Sequence, residues 1–361
     1  MKKNKTVVVG MSGGVDSSVS AYLLKKQGYN VIGLFMINWE EENGQCTSEA
    51  DYEDVKRVCN AIGIPYYSVN YSKQYYERVF TEFLEQYKKG NTPNPDVLCN
   101  KEIKFGPFLE QAEKLGADFI ATGHYAEKIE KNGKFFLKKS TDLNKDQTYF
   151  LNQLNQKQLS KVLFPLANIT KPEVRKIAEQ LELSTAKKKD STGICFIGER
   201  NFKQFLKTYL PYQKGDIVTQ NGEKVGTHDG LMFYTIGQRR GLGLGGRASG
   251  NGERWFVLEK NLEKNQLVVS QGEDDALFSK ALIAEKFNFI PEVPQEKTFS
   301  AFAKFRYRQP DQEVVVHILE NGKVKIEFLS KQRAITKGQY AVLYDKEGFC
   351  LGGGEITDVI Y

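Results

Sequence analysis

The chain lacks any Cys-x-x-Cys pair, has only five cysteines, and contains no apolar run near the roughly 20 residues that cross a bilayer. Without paired cysteines, a structural zinc or a common iron–sulfur site is not expected. An odd cysteine count argues against a disulfide framework and for a reducing cytosol. The first lysines precede only a short apolar stretch, so neither a signal peptide nor a membrane partner is expected. Repeats and low-complexity tracts are absent as well.

What is present is ordinary globular protein: 361 residues, 40% hydrophobic and 27% charged, enough for two or three domains. Net charge is +6, and between Arg200 and Lys260 ten Lys/Arg face five Asp/Glu. A solvated surface and a nucleic-acid backbone explain that segment equally well.

The most informative stretch is TVVVGMSGGVDSS, residues 6–18. Thr6–Gly10 reads as a buried strand of a parallel sheet. From Val15 the apolar positions Val15, Val19, Tyr22 and Leu23 have helical spacing. In the turn between them, Gly13 and Gly14 let several N–H groups face one anion at a helix N-terminus. Ser12, Ser17 and Ser18 add hydroxyl donors, and Asp16 suits a magnesium ion carried on a polyphosphate. An ordinary capped βα turn explains fewer of these residues. No lysine follows the glycines, so this is not a Walker A loop.

Up to about residue 205 strands and helices alternate, with further strands expected at 31–36, 65–69 and 118–122. Helical periods run through Val55, Val58, Cys59 and Ile62, and through Leu109, Ala112 and Leu115. Thr170-Lys171-Pro172-Glu173 is a capping box that opens a helix burying Val174, Ile177, Ala178 and Leu181. This predicts a doubly wound α/β sheet with ligands beyond the carboxyl ends of its strands. Short strands and turns follow, with Asn221-Gly222 and Asn321-Gly322 as hairpin signals. The expected division is 1–205 for the α/β domain, then small β domains at 206–280 and 281–361, the last a barrel.

Two cysteines stand out. Cys99 lies in TPNPDVLCNKEIKF, beyond two rigid prolines and in a polar context, unlike Cys59 on its apolar helix face. Cys195 lies in KKKDSTGICFIGER, where positive charge favours a thiolate, although Ile194 and Phe196 also allow a core position. Cys350 reads as a strand residue, Cys46 sits in an acidic loop, and His228 and His317 read as structural. Tyr234–Gly243 is glycine-rich and basic, which suits phosphate binding or plain strand packing.

The SGGVDS turn resembles the PP-loop of ATP pyrophosphatases, enzymes that split ATP between its α and β phosphates. Further along, FMINWEEENGQCTSEAD, TPNPDVLCNKEIKF, ATGHYA, KDQTYFL, DSTGICFIGER, YTIGQRRGLG and RYRQ appear in that order. Together they resemble the tRNA-specific 2-thiouridylase family over essentially the whole chain. The resemblance implies a PP-loop domain, a central domain and a C-terminal β-barrel that place sulfur on C2 of a tRNA wobble uridine. It puts the ATP site on Gly10, Met11, Ser12, Gly13, Gly14, Val15, Asp16 and Ser17, with Met36 and Gly123. Target-base contacts fall on Asn94, Pro95 and Asp96, and other tRNA contacts on His124, Lys145, Asp146, Gln147, Arg306, Tyr307 and Gln339. It makes Cys99 the nucleophile and Cys195 the persulfide carrier, joined by a transient disulfide, with Asp96 either an acid/base or a base-positioning group.

The implied substrates and partners are ATP with Mg2+, tRNA, and a donor that loads the persulfide, either a cysteine desulfurase or a sulfur-relay protein. Transfer of AMP to the C2 oxygen converts a poor leaving group into a good one, and sulfur from Cys195 then replaces it. Cys99 either releases sulfide from the persulfide or assists direct transfer. Other PP-loop enzymes, such as lysidine synthetase, need no reactive cysteine pair. A non-catalytic RNA-binding protein would need neither the loop nor the cysteines.

Overall fold

The computed structural model describes residues 5–40, 47–190, 197, 201–245 and 253–361. Cys46 and Cys195 lie outside the described residues. The first domain contains strands β1 (Thr6–Met11), β2 (Asn30–Ile37), β3 (Tyr66–Asn70), β4 (Phe119–Ala121), β5 (Glu127–Lys131), β6 (Lys134–Lys138) and β7 (Val162–Leu163). Five of them form a parallel sheet in the order β3-β2-β1-β4-β7. Apolar residues on both faces of β1 explain its central place. Val8 joins one buried cluster while Val7 and Val9 join the other, the alternation that a strand imposes. Strand order reverses between β1 and β4, so the crevice beyond their carboxyl ends is the expected ligand site.

The capping box forms as the sequence predicts. The Thr170 N–H donates to Glu173 Oε2 at 2.7 Å and starts the helix Lys171–Gln180. That helix buries Val174 and Ala178, while Ile177 and Leu181 stay half-buried at its edge.

The second sheet comprises β8 (Gly215–Thr219), β9 (Lys224–His228), β10 (Trp255–Asn261) and β11 (Gln266–Gln271), in the order β10-β11-β8-β9. The third comprises β12 (Phe278–Phe289), β13 (Thr298–Lys304), β14 (Gln312–Ile318), β15 (Val324–Arg333), β16 (Tyr340–Tyr344) and β17 (Phe349–Ile360). Pairing of β12 with both β15 and β17 closes these six into a barrel. Both Asn-Gly pairs form hairpins, but with three-residue loops instead of the expected two-residue turns: Thr219 N meets Glu223 O and Leu319 N meets Lys323 O at 2.9 Å, and only Gly222 and Gly322 are left-handed, with φ of 83° and 77°. Pro291 and Pro294 lie in the connection between β12 and β13.

One pairing crosses the domains. The hairpin β5–β6 leaves the α/β sheet and adds β6 to the barrel strand β17, with Leu137 opposite Cys350. Further bonds fix this union: Thr92 N to Lys337 O at 2.9 Å, Tyr149 Oη to Tyr340 O at 3.0 Å, and Gln153 Nε2 to Gly353 O at 2.6 Å. The barrel is thus fastened to the stretch that carries TPNP. Among the described residues, no helix is long and apolar enough to cross a membrane.

Candidate active site

The loop after β1 folds on its own hydroxyls. Ser17 Oγ accepts from Ser12 N at 3.2 Å and donates to Gly14 O at 3.1 Å, while Ser18 Oγ donates to Gly14 O at 2.8 Å. No side chain caps the helix Val15–Lys26 that follows, so its first N–H groups remain available to an anion. The side chains of Met11 and Val15 are buried in the core, so these two residues offer only backbone to a ligand. Met36, at the end of β2, is half-buried beside Gly10.

Gly123, at the end of β4, closes the crevice from the other side. A Cβ there would stand 2.8 Å from Ser17 N and 2.9 Å from Asp16 C, so only glycine allows the two loops to touch. Gly123→Ala is therefore expected to weaken ATP binding about tenfold or more and to destabilise the fold by about 1–3 kcal/mol. Nucleotide titration and thermal unfolding check this; unchanged affinity would separate Gly123 from the nucleotide site.

Asp16 does not point into open space. Its Oδ1 accepts from Tyr125 Oη at 2.8 Å, and both oxygens accept from Lys171 Nζ at 2.7 Å. Lys171 Nζ also lies 2.8 Å from Asp190 Oδ1, which Arg175 Nη2 meets at 2.7 Å, and Lys145 Nζ reaches Asp190 Oδ2 at 2.6 Å. Burial alone would raise the Asp190 carboxyl, but Lys145 and Lys171 bring it down to about 2. Sequence reasoning missed Tyr125, Lys171 and Asp190 as a group, because they meet only through the fold. Magnesium on Asp16 would have to share that carboxylate with Lys171, so the residues suit an ion arriving on phosphate rather than one held by protein alone. Among the described residues, no three His, Cys, Asp or Glu side chains gather as a metal site.

The cysteine helix Pro95–Cys99 starts at Asn94, whose side chain accepts from Val97 N at 3.4 Å. Pro95 at its first position needs no N–H partner. Asp96 and Cys99 thus stand one turn apart on a short, fixed helix. Contrary to the polar context read from the sequence, Cys99 is 2% exposed and joins the apolar cluster of Val97, Ile103 and Phe105. Long-range packing, invisible in the local pattern, puts it there. Burial pushes the Asp96 carboxyl up, with Lys104 partly opposing. Burial drives His124 well below its usual range, again beside Lys104, so its imidazole is neutral at pH 7. Its Nδ1 lies 2.8 Å from Thr122 Oγ1 and its ring 6.3 Å from that of Phe105, which brings the ATGHYA loop against the cysteine segment.

The residues assigned to tRNA differ in what they can offer. Asp146 is 4% exposed and is held by Ser140 N at 3.2 Å and Thr148 Oγ1 at 2.7 Å, so its side chain faces inward. Gln147 Oε1 accepts from Tyr125 N at 3.0 Å. Of that triplet, Lys145 is half-buried, with its ammonium paired to Asp190. Tyr307 packs on Phe150 at 4.4 Å, while Arg306 is exposed, with Nη2 anchored on Ala334 O and on Thr336 Oγ1. Gln339 Nε2 donates to Thr92 O at 2.8 Å, and its Oε1 accepts from Asn94 Nδ2 at 3.4 Å. It therefore ties the barrel to the start of the cysteine helix.

A glycine- and serine-lined loop at the switch point of a parallel sheet, linked through Gly123 and His124 to the segment that carries Asp96 and Cys99, fits an enzyme that uses a nucleotide. Comparison with known proteins makes this specific. The chain matches family models described as a tRNA methyl transferase HUP domain over residues 5–199, a tRNA methyl transferase PRC-barrel domain over 203–271, and an aminomethyltransferase β-barrel domain over 279–356. A tRNA-specific 2-thiouridylase MnmA 1 from Geobacillus kaustophilus is 60% identical over 361 residues, 99% of this chain and 97% of that protein. The MnmA of Staphylococcus epidermidis is 59% identical over 363 residues, 99% of this chain and 96% of that one. A solved U34-tRNA thiolase NcsA from Methanococcus maripaludis overlaps 54% of this chain and 61% of its own, at 24% identity and a TM-score of 0.37. The chain belongs to the tRNA-specific 2-thiouridylase family.

Proposed function

We propose that the protein replaces the C2 oxygen of a tRNA wobble uridine with sulfur, using ATP to activate that oxygen. The observation that carries this reading is the Asn94–Cys99 helix. It sets a carboxyl of raised pKa and a thiol one turn apart, beside the crevice that the nucleotide loop lines.

In the first step the uracil O2 bonds to the α-phosphorus of ATP, pyrophosphate leaves, and Asp96 accepts the N3 proton. The loop N–H groups and Lys171 hold the phosphate charge, more of which would be neutralised by a magnesium ion bound to the nucleotide. In the second step the terminal sulfur of a Cys195 persulfide bonds to C2 as AMP departs. Cys99 then attacks the Cys195 sulfur, leaving 2-thiouridine and a Cys99–Cys195 disulfide that a cellular thiol reduces. Release of free sulfide before attack ends in the same disulfide. Ile197, two residues beyond Cys195, is buried in the cluster that holds Cys99, which supports bringing the two cysteines together. A desulfurase or relay protein supplies the sulfane sulfur, and reducing conditions of the cytoplasm suit the chemistry.

The test is nucleoside mass spectrometry of tRNA incubated with the protein, ATP and a sulfane-sulfur donor. Sulfur in place of oxygen at the wobble uridine supports the proposal. A methyl group added from S-adenosylmethionine would support the activity named in the family-model descriptions instead.

Asp96 gives a pH prediction. As a base it must be ionised, so the rate falls as pH drops through its pKa, which lies above the ordinary aspartate range. Burial raises that pKa, so ionisation costs stability as pH rises through the same window. Asp96→Asn is expected to remove activity and its acid limb while leaving stability at neutral pH equal or higher. A pH–rate profile with thermal unfolding reads both; an active Asn variant would leave Asp96 only a positioning role.

A further inference from the structure

Two lysines and an arginine share the carboxylate of Asp190, whose side chain is 30% exposed. Lys171, 11% exposed, divides its ammonium between Asp190 and the loop residue Asp16. Arg175 is held separately by Ala186 O at 2.7 Å and Lys188 O at 2.5 Å, so it keeps Asp190 in place when either lysine leaves. The circuit closes on the far side. Lys145 leads through Gln147, whose N–H donates to Tyr125 O at 2.8 Å, and Tyr125 Oη returns to Asp16. The nucleotide loop and the Lys145–Gln147 segment are therefore two arcs of one polar ring.

Building on the ATP and tRNA roles proposed above, we propose that Asp190 is a positioning residue that divides Lys171 and Lys145 between itself and the phosphates of the two substrates. A carboxylate that shares three cations holds each less tightly than one that holds two. Nucleotide phosphate has to draw Lys171 from Asp16 and Asp190, and tRNA phosphate has to draw Lys145 from Asp190. Each withdrawal tightens the hold of Asp190 on the remaining lysine. The two substrates therefore oppose one another, reciprocally. Partial exposure screens the effect, which places it at about three- to tenfold in affinity. Its sense favours departure of pyrophosphate from the enzyme that holds tRNA.

The experiment measures binding of α,β-methylene-ATP, which cannot be cleaved between its first two phosphates, by titration calorimetry on the full chain. Lys145→Gln, without RNA present, should weaken the analogue about three- to tenfold, because Asp190 then competes harder for Lys171. Asp190→Asn should tighten it, and the double variant should follow Asp190→Asn. An unmodified anticodon stem-loop with a wobble uridine should weaken the analogue in the wild type and not in Asp190→Asn. A silent Lys145→Gln, or a folded Asp190→Asn that binds the analogue more weakly, overturns the inference while the nucleotide reading survives. If Asp190→Asn does not fold, the Lys145→Gln result decides alone. A wild type that binds no analogue overturns the nucleotide reading and the inference with it.

Discussion

Serine in place of Cys99 is expected to stop sulfur insertion, by on the order of a thousandfold or more, while tRNA-dependent pyrophosphate release continues. A hydroxyl is not ionised near neutral pH and does not attack a persulfide, whereas a thiolate does. Labelled sulfur from the donor should therefore accumulate on Cys195 in this variant, and no Cys99–Cys195 disulfide should form. Cys195→Ser should carry no labelled sulfur at the site and should thiolate nothing. Because Cys99 is buried in an apolar cluster, the serine hydroxyl is also expected to lower stability by about 1–3 kcal/mol. That loss leaves the assay interpretable, since pyrophosphate release reports a folded enzyme. Peptide mass spectrometry reads the label. Persulfide located mainly on Cys99, or full activity in either variant, would reverse the assignment of the two thiols.

The second large effect belongs to Asp16. Asp16→Ala should abolish pyrophosphate release and leave tRNA affinity within about twofold of wild type. Its carboxylate holds Lys171 on two oxygens and satisfies the Tyr125 hydroxyl, so alanine removes three contacts at the mouth of the nucleotide loop. Asp190 remains as a partner for Lys171 and the site is partly exposed, which limits the stability loss to about 1–2 kcal/mol. Filter binding of tRNA beside a pyrophosphate assay distinguishes the outcomes. Parallel loss of both would mean that the loop shapes the whole domain rather than the nucleotide site.

Local signals carried much of the fold. Val7–Val9, the Thr170–Glu173 box and the two Asn-Gly pairs each act through neighbours a few residues away; the strand and the box form as the sequence predicts, and the hairpins form with loops one residue longer. The hairpin β5–β6 went unread although it has the same signal. Asn132 and Gly133 take φ of 53° and 72°, the turn that its Asn-Gly pair prefers. Its partner strand β17 was legible only at Cys350, and nothing local tied that residue to β6. The site shows the same division. SGGVDS declared a phosphate loop, but the ring of Asp16, Lys171, Asp190 and Lys145 joins residues that only the folded sheet brings within 3 Å. Cys99 looked polar for the same reason: the apolar cluster it joins draws Phe80, Phe83 and Tyr149 from other segments.

The strand addition of β6 to β17 matters while the chain is being made. The hairpin belongs to the first domain, yet the edge it must pair with, around Phe349 and Cys350, is made only after the barrel strands that precede it. Until then the outer side of β6 has no strand beside it, and the nascent first domain carries an open β edge of the kind that invites wrong partners. The lysines at 131, 134, 138 and 139 along this hairpin are the charges that natural edges use to discourage such pairing. A chain made only as far as the first domain thus has its edge unsealed and its cysteine helix unsupported by Gln339, so the site is braced only once the barrel has been added.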